Sequence, residues 1–548
     1  MGRVRIALLI SGVFFAYFAL VLNIYNLQLK KGQYFADRAE AQYQRAGFLE
    51  PKRGNIYFTD KNKNLIPAAI NKSYPVIFAV PKKIKNPESD AKIISDILGL
   101  NEEAVKKSFT KPDDEYELLV AKANSEQVAK IKESGIKGIY VDSEDFRFYP
   151  FENLAAHLLG FVSPSDSGDK IEGRYGLEAY FEEDLAGISG KMDAENLIDP
   201  INGKDLVLTI DRNIQGRAEE ILKNLIEKYG AEGGTVIVNE PRTGKILALG
   251  NYQSFDPNNY KEYKVGLFLN PAVQALYEPG SVFKVITMAA GIDSGKITPE
   301  TKYYDSGSVI YNGYTIKNWD LKAHGWITMT ETIEQSINTG AAFAERQTGH
   351  GNFYDYLLNF GFSDKTDISL PGELFGNLRN LTGSIRDINF ATAAFGQGVS
   401  VTPIRLISAI SAIANSGNLM RPYLLASAQP KIVRRVISED AARQVSEMMV
   451  SAVNKAVIAH IDGYNIAGKT GTAQVPDLIN GGYTNQVINT YVGFAPAYNP
   501  KFTILFKLNK PKGAPLAGLT VVPAFREMAE FIINYYNIPP DNLKDESR

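Results

Sequence analysis

Hydrophobic positions along the chain change texture three times. From Ile6 to Leu29 the chain is apolar and uncharged. Coiled as a helix at ~1.5 Å per residue, this run would reach about 36 Å, enough to cross a hydrocarbon core ~30 Å thick. No small-x-small site follows, Asn23-Ile24-Tyr25-Asn26 standing where one would be, so the pattern predicts an uncleaved membrane anchor behind a short tail of residues 1–5. Gly32 to Arg45 has few breakers and continues as a helix. Between Ser89 and Phe109, and again between Ser125 and Ser134, apolar residues recur at helical spacing among many charges, which predicts solvated helices on a small mixed module. Gly138-Ile139-Tyr140-Val141 reads as a short strand.

Near residue 205 the pattern turns to alternation. Asp205 to Asp211 predicts a strand that runs into a helix start at Asn213-Ile214-Gln215. Gly233–Asn239 and Thr243–Leu249 predict two strands around the turn Pro241-Arg242-Thr243-Gly244. Val282 to Ile292 predicts a helix buried on most sides. Ala467 to Val475 predicts an edge strand with small residues at its centre, and Tyr491 to Pro496 the next strand of that sheet. The fold class is therefore α+β: an antiparallel sheet flanked by helices over residues 205–536, an N-terminal region over 30–204, an anchor over 6–29 and a polar tail over 537–548.

Composition narrows the chemistry. At 548 residues and 45% hydrophobic the chain has ample material for two or three cores. A net charge of −2 gives no reason to expect nucleic acid. The absence of cysteine excludes disulfides, thiol catalysis and cysteine-held metals, and the four histidines, His157, His324, His350 and His460, have no metal-ligand spacing. No metal and no cofactor is expected. A Ser-His-Asp triad lacks its Gly-x-Ser-x-Gly elbow. His324, beside Gly325-Trp326, reads as a packed or surface residue.

One stretch does carry chemistry. Pro279-Gly280 signals a turn before the buried helix, so Ser281 falls at a helix N-terminus, where free N–H groups and the helix dipole favour a developing alkoxide. Lys284 returns to the same face one turn on, within reach of the Ser281 proton. A lysine base must be neutral, and burial beside a second cation lowers its pKa; Lys469 is the expected neighbour. Ser-x-x-Lys alone is weak evidence, because it recurs at Ser89, Ser108, Ser134 and Ser167. Only Ser281 is followed in order by Ser336-Ile337-Asn338 and then by Lys469-Thr470-Gly471-Thr472. Ser-x-Asn occurs again at Ser416-Gly417-Asn418, so it is the joint order that has force.

With those three motifs the chain resembles the penicillin-binding proteins and serine β-lactamases. Further blocks resemble the class B penicillin-binding proteins: Arg53-Gly54-Asn55-Ile56, Arg147-Phe148-Tyr149-Pro150, Gly173-Arg174-Tyr175-Gly176, Leu370-Pro371-Gly372-Glu373, Phe395-Gly396-Gln397-Gly398 and Tyr491-Val492-Gly493. One departure follows the first block, where Phe58 to Asn64 replaces the expected Asp-Arg-Asn-Gly. The resemblance implies a transpeptidase domain on a dimerisation or partner-binding pedestal. It implies that Ser281 is the nucleophile, that Ser336 relays a proton to the leaving amine, and that Asn338 orients Lys284 and the substrate amide. The N–H groups of Ser281 and Thr472 would form the oxyanion hole, where losing one donor typically costs ~10²–10³ in rate. Lys469, Thr470 and Thr472 would hold the substrate carboxylate, with the substrate backbone added along the strand at Gly471.

By the same resemblance the protein is a single-pass, extracytoplasmic peptidoglycan D,D-transpeptidase of the cytoplasmic (inner) membrane, acting on stem peptides and trapped by β-lactams. Its partners would be a membrane-embedded glycan polymerase and other divisome proteins. Ser-x-Asn rather than Ser-x-Asp favours the septal, cell-division branch over the elongation branch. A D,D-carboxypeptidase, a β-lactamase, and a non-catalytic scaffold or β-lactam sensor are the alternatives.

Overall fold

The computed structural model describes residues 17–18, 50–111, 116–166, 170–192, 197–383, 386–477, 479–513 and 516–542. Among these no helix is long and apolar enough to cross a membrane; the expected anchor, the helix expected over Gly32 to Arg45 and the end of the polar tail lie outside the described residues, apart from Tyr17 and Phe18.

In the N-terminal part the strand Leu65–Ala79 is the spine. It pairs antiparallel with Ile139–Phe148 from Ile70↔Phe148 to Ala79↔Ile139, and with Ile56–Thr59 and Glu117–Val120 elsewhere. Ile56–Thr59 is joined in parallel by Leu206–Asp211, so the first strand of the expected catalytic region completes this sheet. Three helices, Pro87–Leu98, Glu102–Phe109 and Ser125–Ser134, close a small core around Ile77, Ile94, Leu98, Phe109 and Ile131.

Two expectations change here. The helical stretch up to Phe109 is broken at Gly99, whose left-handed φ of 69° ends the first helix, and Asn101 caps the second by accepting from Ala104 N–H. The strand expected at Gly138–Val141 runs on to Phe148, because Glu144 and its neighbours are exposed on both faces and leave no alternation to read. The helix expected at Ser125–Ser134 forms over those residues with a capping box between Asn124 and Gln127.

The second sheet is antiparallel throughout, in the order Ile246–Tyr252, Gly233–Asn239, Phe502–Asn509, Tyr483–Ala495, Ala467–Pro476. Helices Arg212–Tyr229 and Val521–Tyr536 pack over one face through Ile214, Leu222, Phe506, Phe525 and Ile532. The helices Lys284–Asp293 and Pro403–Ala414 are buried along nearly their whole length, which is why the sequence shows apolar runs there rather than a stripe. Ala467–Pro476 lies at the sheet edge with Tyr483–Ala495 as its only strand partner in that sheet.

The described residues 50–54, 183–192 and 197–204 belong to a separate compact unit. Gly54 N–H donates to Leu185 O (2.8 Å) and Gly203 N–H to Lys52 O (2.9 Å). A Cβ on Gly54 would collide with the Lys204 carbonyl, so the glycine of Arg53-Gly54-Asn55-Ile56 serves a backbone crossing.

Candidate active site

The turn that carries Ser281 is held from two sides by glycines. Gly280 adopts φ 59°, open to it for want of a Cβ, and donates its N–H to Gly396 O (3.1 Å). A Cβ on Gly396 would strike the Gly280 backbone, and one on Gly471 would lie 2.6 Å from Pro279 O. The space that glycine leaves at position 471 is thus taken by the turn itself, which presses the edge strand against it. Ser281 sits half-buried in a 3₁₀ turn, Gly280–Phe283, that feeds the helix Lys284–Asp293. A tight opening turn is a common way for a helix to begin.

Lys284 is 0% exposed. Its Nζ donates to Ser336 O (2.5 Å) and Asn338 Oδ1 (2.8 Å) and lies 3.2 Å from Ser336 Oγ; the Ser281 hydroxyl is not among its contacts. Lys469, 3% exposed, donates from Nζ to the same Ser336 Oγ (3.0 Å), to Thr470 O (3.1 Å) and to Thr470 Oγ1 (3.3 Å). Two amines therefore converge on one hydroxyl. Thr472 Oγ1 accepts from Ala517 N–H (3.2 Å), which leaves its own proton free to be donated.

Burial, and then the charge of Lys469, push the Lys284 amine well below the ordinary lysine value. Burial alone lowers Lys469 to about 7. Among the described residues neither cation has a carboxylate against it, and that absence of compensation keeps both shifts large.

The corner that gathers these groups is strained. Ser336 has φ 58°, a left-handed conformation rare for residues with a side chain, between the helices Met329–Glu334 and Asn338–Thr348. Asn338 fixes it further by donating from Nδ2 to Lys317 O (2.9 Å). All the expected residues, Ser281, Lys284, Ser336, Asn338 and the strand Lys469 to Thr472, thus come from three segments brought to one edge of the sheet. Of the other Ser-x-x-Lys serines, Ser89 and Ser134 donate to backbone carbonyls of their own helices, and Ser167 lies outside the described residues.

Two groups of residues escaped the sequence. Glu278, raised above the ordinary carboxylate value by burial, accepts from Gly398 N–H (3.0 Å) and Tyr483 Oη–H (3.0 Å) and so ties the serine turn to two loops. Its position before Pro279-Gly280 was the available signal. Asp305, His324, Asn318 and Thr339 form a buried polar cluster behind Ser336; the Asp305-Ser306-Gly307 turn marks it locally, but its partners lie far apart in the chain. Among the described residues no cluster of three or more His, Cys, Asp or Glu is arranged to hold a metal.

Known proteins are similar to this chain over most of its length. The penicillin-binding protein transpeptidase domain matches residues 234–530 and the penicillin-binding protein dimerisation domain residues 48–208. Stage V sporulation protein D of Bacillus subtilis is 33% identical over 527 residues, covering 90% of this chain and 80% of the relative. Peptidoglycan D,D-transpeptidase FtsI of Buchnera aphidicola is 28% identical over 568 residues, covering 98% and 96%. The crystal structure of penicillin-binding protein 3 from Mycobacterium tuberculosis, complexed with aztreonam, superposes with a TM-score of 0.70 at 25% identity, covering 90% of this chain and 97% of that one. On these matches the chain belongs to the class B penicillin-binding proteins, the family of serine-type peptidoglycan D,D-transpeptidases.

Proposed function

We propose that Ser281 is the acylating nucleophile of this transpeptidase and Lys284 its base. The observation that carries the assignment is the meeting of Lys284 Nζ, Lys469 Nζ and the Ser336 hydroxyl, with no carboxylate to hold either amine charged. A neutral Lys284 has two N–H groups and a lone pair. Ser336 O and Asn338 Oδ1 only accept, so they take the two N–H groups and leave the lone pair for a hydroxyl proton.

Ser281 Oγ attacks the carbonyl carbon of a D-Ala-D-Ala bond as its proton passes to Lys284. The N–H groups of Ser281 and Thr472 hold the oxyanion. The C–N bond then breaks, and the leaving nitrogen takes the proton from Lys284 by way of Ser336 Oγ, which Lys469 steadies. D-Ala departs. The amine of a neighbouring stem peptide attacks the ester, gives up a proton along the same route, and restores Ser281 as the new amide forms. Lys469, Thr470 and Thr472 bind the terminal carboxylate, and the stem peptide adds to the open edge beside Gly471. β-Lactams acylate the same serine.

Residues 6–29 anchor the chain in the cytoplasmic membrane, with the pedestal of 30–204 and the transpeptidase domain of 205–536 outside. The FtsI relative and the Ser-x-Asn motif support work at the division septum beside a separate glycan polymerase and other divisome proteins; the sporulation relative favours a second reading, service in sporulation. Detergent-solubilised full-length protein incubated with a fluorescent penicillin is expected to label stably, with Ser281→Ala unlabelled. Labelling that survives Ser281→Ala would remove the nucleophile assignment, and rapid loss of label would make the protein a hydrolase.

A further inference from the structure

Behind the Ser336 corner lies a polar cluster that the acyl-transfer steps do not use. Its centre is Asp305, 0% exposed, at the end of the strand Lys302–Asp305. Oδ1 accepts from Gly307 N–H (2.9 Å) and Thr339 Oγ1–H (2.8 Å). Oδ2 accepts from Asn318 Nδ2 (2.8 Å), His324 N–H (3.1 Å) and His324 Nδ1 (2.8 Å). These bonds hold the carboxyl below its ordinary value in spite of its burial. His324 faces a second carboxylate through Nε2, at Asp320 Oδ2 (3.1 Å). It is therefore a bridge between two acids, and more than the packed or surface residue its sequence context suggests.

The cluster is joined to the reacting groups through backbone. Thr339 N–H donates to Asn318 Oδ1 (3.3 Å), closing a triangle of Asp305, Asn318 and Thr339. On one side of Asn318, Lys317 O accepts from Asn338 Nδ2 (2.9 Å); on the other, Trp319 Nε1 donates to Gln335 O (2.9 Å). The residues immediately before and after Ser336-Ile337 are thus both tied to residues 317–319, and those residues are tied to Asp305. Ser336 keeps a left-handed φ that is costly for a residue with a side chain and persists only where its surroundings over-determine it. Its carbonyl and hydroxyl are two of the three contacts of the Lys284 amine.

We propose that Asp305 and His324 are positioning residues of the acyl-transfer site: together they hold the 317–319 segment that clamps the strained Ser336 corner onto Lys284. The inference rests on the assignment of Ser281 and Lys284 above. Neither residue touches substrate. Their loss lets the corner relax, draws Ser336 O and Oγ away from Nζ and admits water beside the amine. Binding of the substrate carboxylate, which depends on the Lys469 to Thr472 strand, stays.

The test is the kinetics of acylation by a fluorescent penicillin in full-length protein, separating initial binding from the chemical step, for Asp305→Asn and His324→Gln across pH. Both variants are expected to slow the chemical step about 10- to 100-fold, the scale of an ångström-sized misplacement, with initial binding changed less than about threefold. The pH limb along which the wild-type rate rises should move upward, because a hydrated Lys284 regains a more ordinary pKa. A general loss of stability scales the amount of active protein and leaves that limb in place. Should Asp305→Asn fail to fold, His324→Gln, at a partly exposed position, decides alone. Unchanged rate and unchanged pH limb in folded variants overturn the proposal. A wild-type protein that does not label at all overturns the Ser281 assignment and this inference with it.

Discussion

Two of the places where the chain buries cations treat them in opposite ways. In the N-terminal part Arg147, with a side chain 2% exposed, meets Glu178, 0% exposed, at 2.6 Å, and Tyr149 Oη–H donates to the same carboxylate oxygen (3.2 Å). At the candidate active site Lys284 and Lys469 are equally buried, yet their contacts are two hydroxyls, carbonyls and an amide oxygen. A paired charge is neutralised locally and serves packing. An unpaired one is pressed toward its neutral form, which is what a base needs. Burial alone therefore says little about a cation; the charge of what stands against it decides whether it is held charged or pressed toward neutrality.

The contrast breaks most sharply if each cation is disturbed in turn. Lys284→Met should slow penicillin acylation by about 10³- to 10⁴-fold, the upper range for loss of a general base. Its midpoint in a thermal or denaturant melt should stay close to wild type, a change within about 1 kcal/mol, because a buried unpaired amine supports the fold little. A large drop in stability there would mean that Lys284 is structural. Glu178→Gln is the mirror experiment. It leaves Arg147 buried against a neutral amide and is expected to cost about 3–5 kcal/mol in stability, while the acylation rate per folded molecule is unchanged. A variant with normal stability and slow acylation would make the pair part of the catalytic apparatus.

The same contrast explains what could be read from sequence. The Ser281, Ser336 and Lys469 motifs proposed for acyl transfer were legible because their residue types stand at short range: Lys284 one turn from Ser281, Asn338 two residues from Ser336. The sheet was legible where strands alternate or run apolar, as at Gly233–Asn239. Three features were not. Gly99 splits a helix that periodicity alone joins. Leu206–Asp211 has the pattern of a strand, but nothing local says that it pairs with Ile56–Thr59, far back in the chain. Asp305 and His324 look like ordinary polar residues until the fold puts Thr339 and Asn318 against Asp305 and sets His324 between Asp305 and Asp320. In each case the missing information is a partner distant in sequence. At Gly471 the sequence shows a small residue at the centre of an edge strand, and the fold supplies a packing reason for it: a side chain there would meet Pro279 and Val282.

The smallest expected effect sharpens the comparison through pH. A lysine whose folded pKa is depressed binds fewer protons in the folded than in the unfolded state between the two values, so stability rises with pH across that interval. For Lys469 the interval runs from about 7 to the ordinary value of 10.5. Its destabilising influence is complete below the lower limit and fades as the pH approaches the upper one. The slope is at most about 1.4 kcal/mol per pH unit for one proton. Lys469→Met should flatten the rise in melting midpoint over that range. Glu178→Gln should lower the curve as a whole, because it leaves Arg147 buried without its carboxylate at every pH in that range. If Lys469→Met leaves the slope intact, the amine is charged in the folded protein and the unpaired lysines are held by something other than burial. The distinction between the two buried cations would then collapse.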